Sequence, residues 1–404
     1  MIKRLICLSF FVSTCQAMVF DNRFLPFLLK PVYLSDNANF HITIQPFFMQ
    51  AEKAFSETSR VTIPDICGNY DQRVLAQTFP LRGLPDPLRS DFQLRTSIPW
   101  IRNGRLDAQG LTFMYEQAIN TWLSVGFNTL FLHAAMRHEF FFADAVSGLP
   151  VGDKNYLLQS KEQINSELGL CPALFSKTGF GDIDFYMRAH YGWEYILRCR
   201  RIDAGYKFGL LIPTAQARDI DNPASIPFGG NRHWGIYGSL DTEWELREDL
   251  IIGIMGRASK RFKRSDTMRV PLLSEPAEYG ALKAPVTVDP GWTFVFNPYV
   301  RLEEIREGLG FQVLYYLVTH LEDSYVDGRT REQKKALPSN ICSLEPCSSW
   351  GAEYVSIGAF YEFGDVCRGI YPKLSAYWDM PVDWLVSKRA AKTNSVSIMV
   401  EVEF

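Results

Sequence analysis

The last ten residues alternate: Val396, Ile398, Val400, Val402 and Phe404 fall on one face of a period-two strand, and Ser395, Ser397, Glu401 and Glu403 on the other. The result is a strand with one apolar wall and one polar wall, and the same pattern recurs upstream. From Asp182, Ile183, Phe185, Met187, Ala189, Tyr191 and Trp193 oppose Asp182, Asp184, Tyr186, Arg188, His190 and Glu194. Next, Ile202, Ala204, Tyr206, Phe208 and Leu210 oppose Arg201, Asp203 and Lys207, and Trp292, Phe294, Phe296, Val300 and Leu302 oppose Asn297, Tyr299, Arg301 and Glu303. Stacking the charged rows against a second sheet buries several ions, each costing several kcal/mol unless paired. Apolar rows in lipid and charged rows in a watery lumen remove the conflict. Aromatics filling a soluble core are the competing reading, and they leave those ions buried.

Alternation places about twelve strands, an even number as in single-chain bacterial barrels: 40–53, 110–120, 123–136, 182–195, 201–213, 234–246, 250–262, 292–303, 309–322, 350–363, 368–380 and 395–404. The connections alternate too. Short turns near 121–122, 197–200, 247–249, 304–308 and 364–365 are separated by long loops over 54–109, 137–181, 214–233, 263–291, 323–349 and 381–394. That layout predicts an all-β fold: a closed antiparallel transmembrane β-barrel of about twelve strands, with short periplasmic turns and long extracellular loops. Two strands fit less cleanly. Residues 123–136 are apolar on both faces, which predicts an inner cover by a loop or a slipped register, and Glu353 falls on the lipid face near an outer rim. Trp193 and Trp244 are expected in a periplasmic girdle, and Trp234, Trp292, Trp350 and Trp378 in an outer one.

A strand that ends the chain on an aromatic resembles the C-terminal signal of bacterial outer-membrane β-barrels. The resemblance implies membrane lipid as a partner, and engagement of the barrel-assembly machinery through the strand ending at Phe404. The other end agrees. Lys3 and Arg4 precede the apolar stretch Leu5 to Val12, and Cys15-Gln16-Ala17 offers cleavage positions, so 1–17 reads as a signal peptide. Thr14 stands where a lipoprotein has a small residue before the cysteine. The stretch is shorter than the roughly 20 residues a helical span needs. Residues 18–39 are then a periplasmic or plug segment and 40–404 the barrel, located in the bacterial outer membrane. A net charge of −3 with no basic patch argues against nucleic acid as a partner.

Inward-facing rows supply the lumen candidates: Asp182, Asp184, Arg188, His190, Glu194, Arg201, Asp203, Lys207, Asp241, Glu243, Arg257, Arg261, Arg301, Glu303 and Lys373. Mixed rings of this kind set a field that selects solutes; equally, they can pair off and close a narrow barrel. Cys342 and Cys347 share one outer loop and are the expected disulfide. Cys67 and Cys171, also on outer loops, could pair with each other, whereas Cys199 and Cys367 belong to distant turns and are expected as free thiols. His133, His138 and Glu139 lack metal-motif spacing and are expected at a solvated rim, so no metal or other cofactor is anticipated. His190 is the base a membrane hydrolase would require, together with a serine and an acidic or amide orienter whose nearness spacing does not reveal. The outer loops should hold a helix over 155–170 after Asp153, and a hairpin turn at Asn103-Gly104. The apolar run Phe24 to Leu29 either occludes the bore or packs on the barrel.

Gly179-Phe180-Gly181-Asp182, opening a strand, followed by Lys207 to Thr214, resembles the strand pair of outer-membrane transport barrels of the phenol-degradation type, distantly similar to fatty-acid-transport channels. Ala215 replaces the usual glycine after Pro-Thr. The resemblance implies passive uptake of small-molecule solutes, apolar or aromatic ones included, without enzymatic activity. A non-conducting barrel displaying its loops as an adhesin or envelope protein is the alternative, and an outer-membrane hydrolase the second.

Overall fold

A computed structural model of the chain describes residues 22–31, 38–57, 60–197, 199–364 and 369–404. The expected signal peptide and Cys367 lie outside the described residues. Twelve strands close into one antiparallel barrel: β1 (Phe40–Ala51), β4 (Trp100–Asn120), β5 (Leu123–Phe142), β7 (Ile183–Glu194), β8 (Arg201–Ile212), β9 (Gly235–Arg247), β10 (Leu250–Arg261), β13 (Trp292–Arg306), β14 (Leu309–His320), β16 (Trp350–Glu362), β17 (Tyr371–Val382) and β19 (Asn394–Glu403). Short accessory strands are β2 (Lys53–Phe55), β3 (Arg60–Thr62), β6 (Leu174–Phe180), β11 (Arg264–Val270), β12 (Leu282–Asp289), β15 (Ser324–Asp327) and β18 (Ala390–Ala391).

Sequence neighbours pair around the wall, and the chain ends meet in the seam between β1 and β19, where His41 opposes Glu403 and Gln50 opposes Asn394. Phe404 finishes that seam. Its carbonyl accepts from Asn39 N at 2.6 Å, its amide donates to Phe40 O at 3.0 Å, and its ring stacks on Phe40 at 4.5 Å. Such closure leaves no sheet edge unpaired in lipid, which an open sheet could not achieve.

The faces sort as the alternation requires. In β13, Trp292, Phe294, Phe296, Val300 and Leu302 are exposed on the outer wall, while Thr293, Val295, Asn297 and Tyr299 are buried inside. Trp193, Trp234, Trp292 and Trp378 also face outward. Trp350 does not: it is buried and stacks on His320 at 5.8 Å, because the even-numbered residues of β16 point inward. Glu353 does lie on the outer face of β16, yet it is fully buried. The loop after β17 folds over it, and the backbone amides of Trp384 and Leu385 donate to its carboxylate at 2.9 and 2.8 Å, with Val386 N as a third donor. A carboxylate that accepts several amides keeps its charge away from lipid.

A regularity on the inner wall was not visible in sequence. Five aromatic rings lie over a glycine directly across the strand pair: Tyr186 over Gly126, Tyr237 over Gly209, Tyr299 over Gly253, Phe360 over Gly310 and Tyr377 over Gly358. The absent side chain leaves room for the ring to lie flat on the backbone. A Cβ on Gly253 would sit 2.1 Å from Tyr299 Cζ, and one on Gly209 2.2 Å from Tyr237 Cε1. Covered glycines of this kind pin register, since a one-residue slip sends the ring to the other face.

The hairpin β4–β5 rises far above the rest. Its 21 and 20 residues compare with the 9–11 that cross a bilayer. Asn103 and Gly104, expected in a turn, lie within β4 opposite Glu139 and His138. The tall hairpin carries a cap in which the helices Gln72–Leu81 and Val151–Glu167 bury Leu75, Phe79, Leu157 and Ile164 against Tyr70, Trp100 and Tyr279. The second of these is the expected loop helix, begun earlier at Pro150, with Asp153 inside its first turn. On the other side of the mouth, β12 pairs with both β11 and β15, forming a three-stranded sheet that alternation did not reveal.

Gly253→Ala should lower stability by about 1–3 kcal/mol, the usual cost of overpacking. The check is the temperature at which folded protein stops running ahead of unfolded protein on an unboiled detergent gel. With Tyr299→Ala, which vacates the contact at a cost of its own, the combined loss should be smaller than the sum of the two single losses; an additive double variant contradicts the pairing.

Candidate functional site: the barrel interior

Two sectors share the inner wall. One is apolar: Phe47 and Met49 of β1, Leu106 of β4, and Leu130, Leu132 and Met136 of β5 form a single buried cluster with Leu25 and Phe27 of the N-terminal segment and Ile226 and Phe228 of the loop after β8. Strand β5, apolar on both faces, is therefore covered inside by two segments of chain and keeps its register. The N-terminal segment runs through the barrel and is held at several points. Lys30 Nζ bonds Asp379 at 2.5 Å and Ser356 at 2.8 Å. Tyr316 OH donates to Leu29 O at 2.8 Å, Thr393 Oγ1 to Phe24 O at 2.8 Å, and Asn22 Nδ2 to Pro227 O at 2.7 Å.

The facing sector, on β7 to β13, holds paired charge. Arg261 meets Asp182 at 2.8 Å, Arg257 meets Asp184 at 3.3 Å, and Arg188 meets Asp241 at 2.9 Å. Arg301 bridges Glu243 at 3.2 Å and Glu303 at 2.7 Å, and Tyr299 OH donates to Glu243 at 2.5 Å. Arg257 lies 3.6 Å over the ring of Tyr237, and Lys207 5.0 Å over that of Tyr186. Of the fifteen sequence candidates, Asp182, Asp184, Arg188, Asp241, Glu243, Arg257 and Arg261 are buried together on this wall. The rest lie nearer the short-turn end or are half-buried. Arg201 pairs with Asp203 at 2.8 Å, Lys373 with Glu362 at 2.9 Å, His190 and Lys207 are half-buried, and Glu194 is exposed.

Asp182 anchors a device that sequence located without explaining. Strand β5 pairs with β6 over Phe131 to Arg137 and with β7 over Leu123 to Asn128, so one wall position is filled by two strands interrupted at Gly181-Asp182. There the Asp182 carboxylate turns inward and accepts from Ala215 N at 3.2 Å and Gly230 N at 2.7 Å, besides its pair with Arg261. Thr214 Oγ1 donates to Gly181 O at 3.0 Å. The two stretches that carry the family resemblance thus meet at this break, which fastens the inward-folded loop to the wall.

A cavity of ≈ 700 Å³ opens at the loop end, between the N-terminal segment, that loop and the small outer sheet. Arg23, Lys177, Arg218, Arg232, Arg261, Arg264 and Arg269 line it against Asp219, Asp266, Glu278 and Asp323, so basic lining groups outnumber acidic ones seven to four, with Arg261 and Arg269 paired to Asp182 and Asp221 just behind the lining. Arg269 locks the surrounding loops: it donates to the carbonyls of Ile220, Leu168, Gly169 and Gly280 and to Asp221 Oδ1 at 2.8 Å. Burial of its guanidinium lowers its pKa, and the Asp221 hydrogen bond opposes that shift.

His138 differs from expectation. Beyond the outer end of β1, it is buried rather than solvated, and neither ring nitrogen has a hydrogen-bond partner among the described residues. Burial, reinforced by Arg102 and Arg218, pushes its pKa down to about 3. The cysteines also depart from the expected pattern. Cys342 is exposed, and Cys347 turns toward Cys67 instead; Cys171 is exposed beside Asp221, whose carbonyl accepts its amide at 2.7 Å. The short helical turns Ile341–Ser343 and Leu344–Ser348 separate the first pair.

A closed antiparallel cylinder with an apolar outer wall, an inner wall that gathers the buried ions on one side, and long loops at one end defines a bacterial outer-membrane β-barrel. No family model matches the sequence, and no curated protein matches it. Among solved structures, the COG4313 outer-membrane channel from Pseudomonas putida F1 aligns over 94% of this chain and 100% of its own, at 10% identity and a TM-score of 0.55. The toluene transporter TodX of Pseudomonas putida aligns over 91% and 89%, at 10% identity and a TM-score of 0.32. At 10% identity the likeness to the COG4313 channel is one of fold.

Asp182→Ala leaves Arg261 without its carboxylate, holding only neutral partners such as His233 O, and releases two backbone amides; it should cost about 3 kcal/mol, as loss of one partner of a buried pair does, and protease cleavage within 213–234 of the folded barrel measures it. His138 titrates in the unfolded chain near its ordinary value but only near 3 when folded. Stability is therefore full above the ordinary value and falls progressively as pH drops between the two. Acid unfolding of the outer hairpin, followed by hydrogen exchange, should lose that component in His138→Gln.

Proposed function

We propose that the protein is an outer-membrane channel for passive uptake of small molecules, apolar or aromatic ones included. The observation that carries this reading is the division of the interior: a continuous apolar strip along β1, β4 and β5 faces an ion-paired wall, and a length of the chain's own N-terminal segment occupies the strip. Leu25 and Phe27 fill it as an apolar solute would. A mouth whose charged lining is mainly basic, an apolar strip and fixed charges opposite give a graded path, and paired charges bind passing solutes weakly enough to let them leave. The shared fold with a solved outer-membrane channel supports the reading. Nothing in it requires a cofactor or a catalytic step, and the candidate lumen residues act as lining.

The lateral pairing of the buried inner charges and the cap over the mouth favour a second reading, a closed barrel that displays its loops. One experiment separates the two. In planar bilayers, Lys30→Ala, which frees the segment from Asp379 and Ser356, and deletion of 22–31 should each raise unit conductance or open time several-fold over wild type. Silence in both variants, with the barrel folded, contradicts the channel and leaves the displaying barrel.

A further inference from the structure

Cys67 and Cys347 stand 280 residues apart in sequence and face each other at the loop end of the barrel. Cys67 Sγ lies 3.6 Å from Cys347 O, Cys347 Sγ lies 4.0 Å from Cys67 O, and the two thiols are within hydrogen-bonding reach of each other. Reciprocal approach of this kind turns both sulfurs into the gap between the two backbones, the approach from which a disulfide closes. Both are free thiols in the structure. A third group holds the pair: Arg23 Nη2 donates to Cys67 Sγ at 3.2 Å and Nη1 to Cys347 O at 2.7 Å.

We propose that Cys67 and Cys347 form a disulfide in the exported protein, tying the first outer loop to the segment before β16 across the mouth, with Arg23 of the luminal segment docked on the bond. The exported route is oxidising, and the chemistry needs a disulfide-bearing oxidant, either a low-molecular-weight disulfide or that of a thiol oxidase. The Cys67 thiolate attacks one sulfur of the oxidant and expels the other as a thiolate. Cys347, deprotonated in turn, attacks Cys67 Sγ and expels the second. The protein loses two electrons and two protons, and the oxidant's disulfide becomes two thiols. Cys67 suits the first step, because Arg23 donates to its sulfur at 3.2 Å, and the Cys347 thiol together with Arg23 lowers its pKa against the effect of burial. Cys347 is shifted upward by the same contact and by burial, and suits the resolving role.

The other pairings open in the sequence lack this geometry. Cys342 and Cys171 are both exposed, and each could be alkylated freely. The bond would close the mouth more firmly than loop packing alone, since a link between positions so distant in sequence restricts the unfolded loops strongly.

The test uses the mature full-length protein folded in detergent, treated with oxidised glutathione or with a reducing agent, then alkylated and digested without reduction for mass spectrometry. The expected result is a peptide joining Cys67 to Cys347, lighter than the two free peptides by two hydrogens, with Cys171 and Cys342 alkylated in both samples. The link should persist in Cys342→Ser and in Cys171→Ser, and the reduced wild type should lose protease resistance within 60–70. A peptide joining Cys347 to Cys342, or Cys67 to Cys171, overturns the proposal; so does equal alkylation of all four thiols after oxidation. Because the readout is covalent, it is independent of whether the barrel conducts.

Discussion

Every feature of this molecule depends on the cost of placing an ion, or an unpaired backbone group, in hydrocarbon. The chain meets that constraint by giving each strand two chemically opposite faces and by closing the sheet on itself. Closure satisfies the backbone, and the inward turn of the charged rows satisfies the side chains. The interior then poses a second problem of the same kind, because it holds Asp182, Asp184, Arg188, Asp241, Glu243, Arg257 and Arg261 on a few neighbouring strands. Lateral pairing solves it, each acid against a base on the same wall.

Pairing along one wall frees the opposite wall to be apolar. Strands β1, β4 and β5 use that freedom, and their inner surface needs a cover, supplied by Leu25 and Phe27 from below and Ile226 and Phe228 from the loop side. The two covers are fastened differently. The N-terminal segment is tethered by Lys30 and by hydrogen bonds from side chains, contacts that can be released one at a time. The loop is fixed at the strand interruption by Asp182, a group that also balances Arg261. In the proposed channel, the tethered segment is the cover that moves and the loop the one that stays.

The sequence was most legible where its signal was local. Period-two alternation carries its own evidence within each strand, so the wall positions and the facing of Phe294 or Asp184 could be read from neighbours in the chain. The doubtful strand 123–136 was legible in part: apolar residues on both faces pointed to an inner cover or a slipped register, and only the packing of Leu130 and Leu132 under distant segments decides for the cover. Elsewhere the signal depends on partners far away in sequence. Asn103-Gly104 has turn chemistry, yet its pairing with Glu139 and His138 holds it extended within β4. Gly209 and Gly253 look like strand weaknesses until the ring across each is known. Cys347 pointed to Cys342 by nearness in sequence, whereas the loops bring it to Cys67. The hairpin of β11 and β12 escaped notice because short outer strands mix polar and apolar residues without a buried face that repeats.

The two-sided wall is tested most directly by nitroxide labels placed singly at positions 293–297, 299 and 300 of β13, in a cysteine-free background reconstituted into lipid. Collision with oxygen, which concentrates in hydrocarbon, is compared with collision with a water-soluble nickel chelate. The account predicts high oxygen accessibility at 294, 296 and 300 and low accessibility at 293, 295, 297 and 299, a clean period of two. A flat profile, or a period near that of a helix, would contradict it.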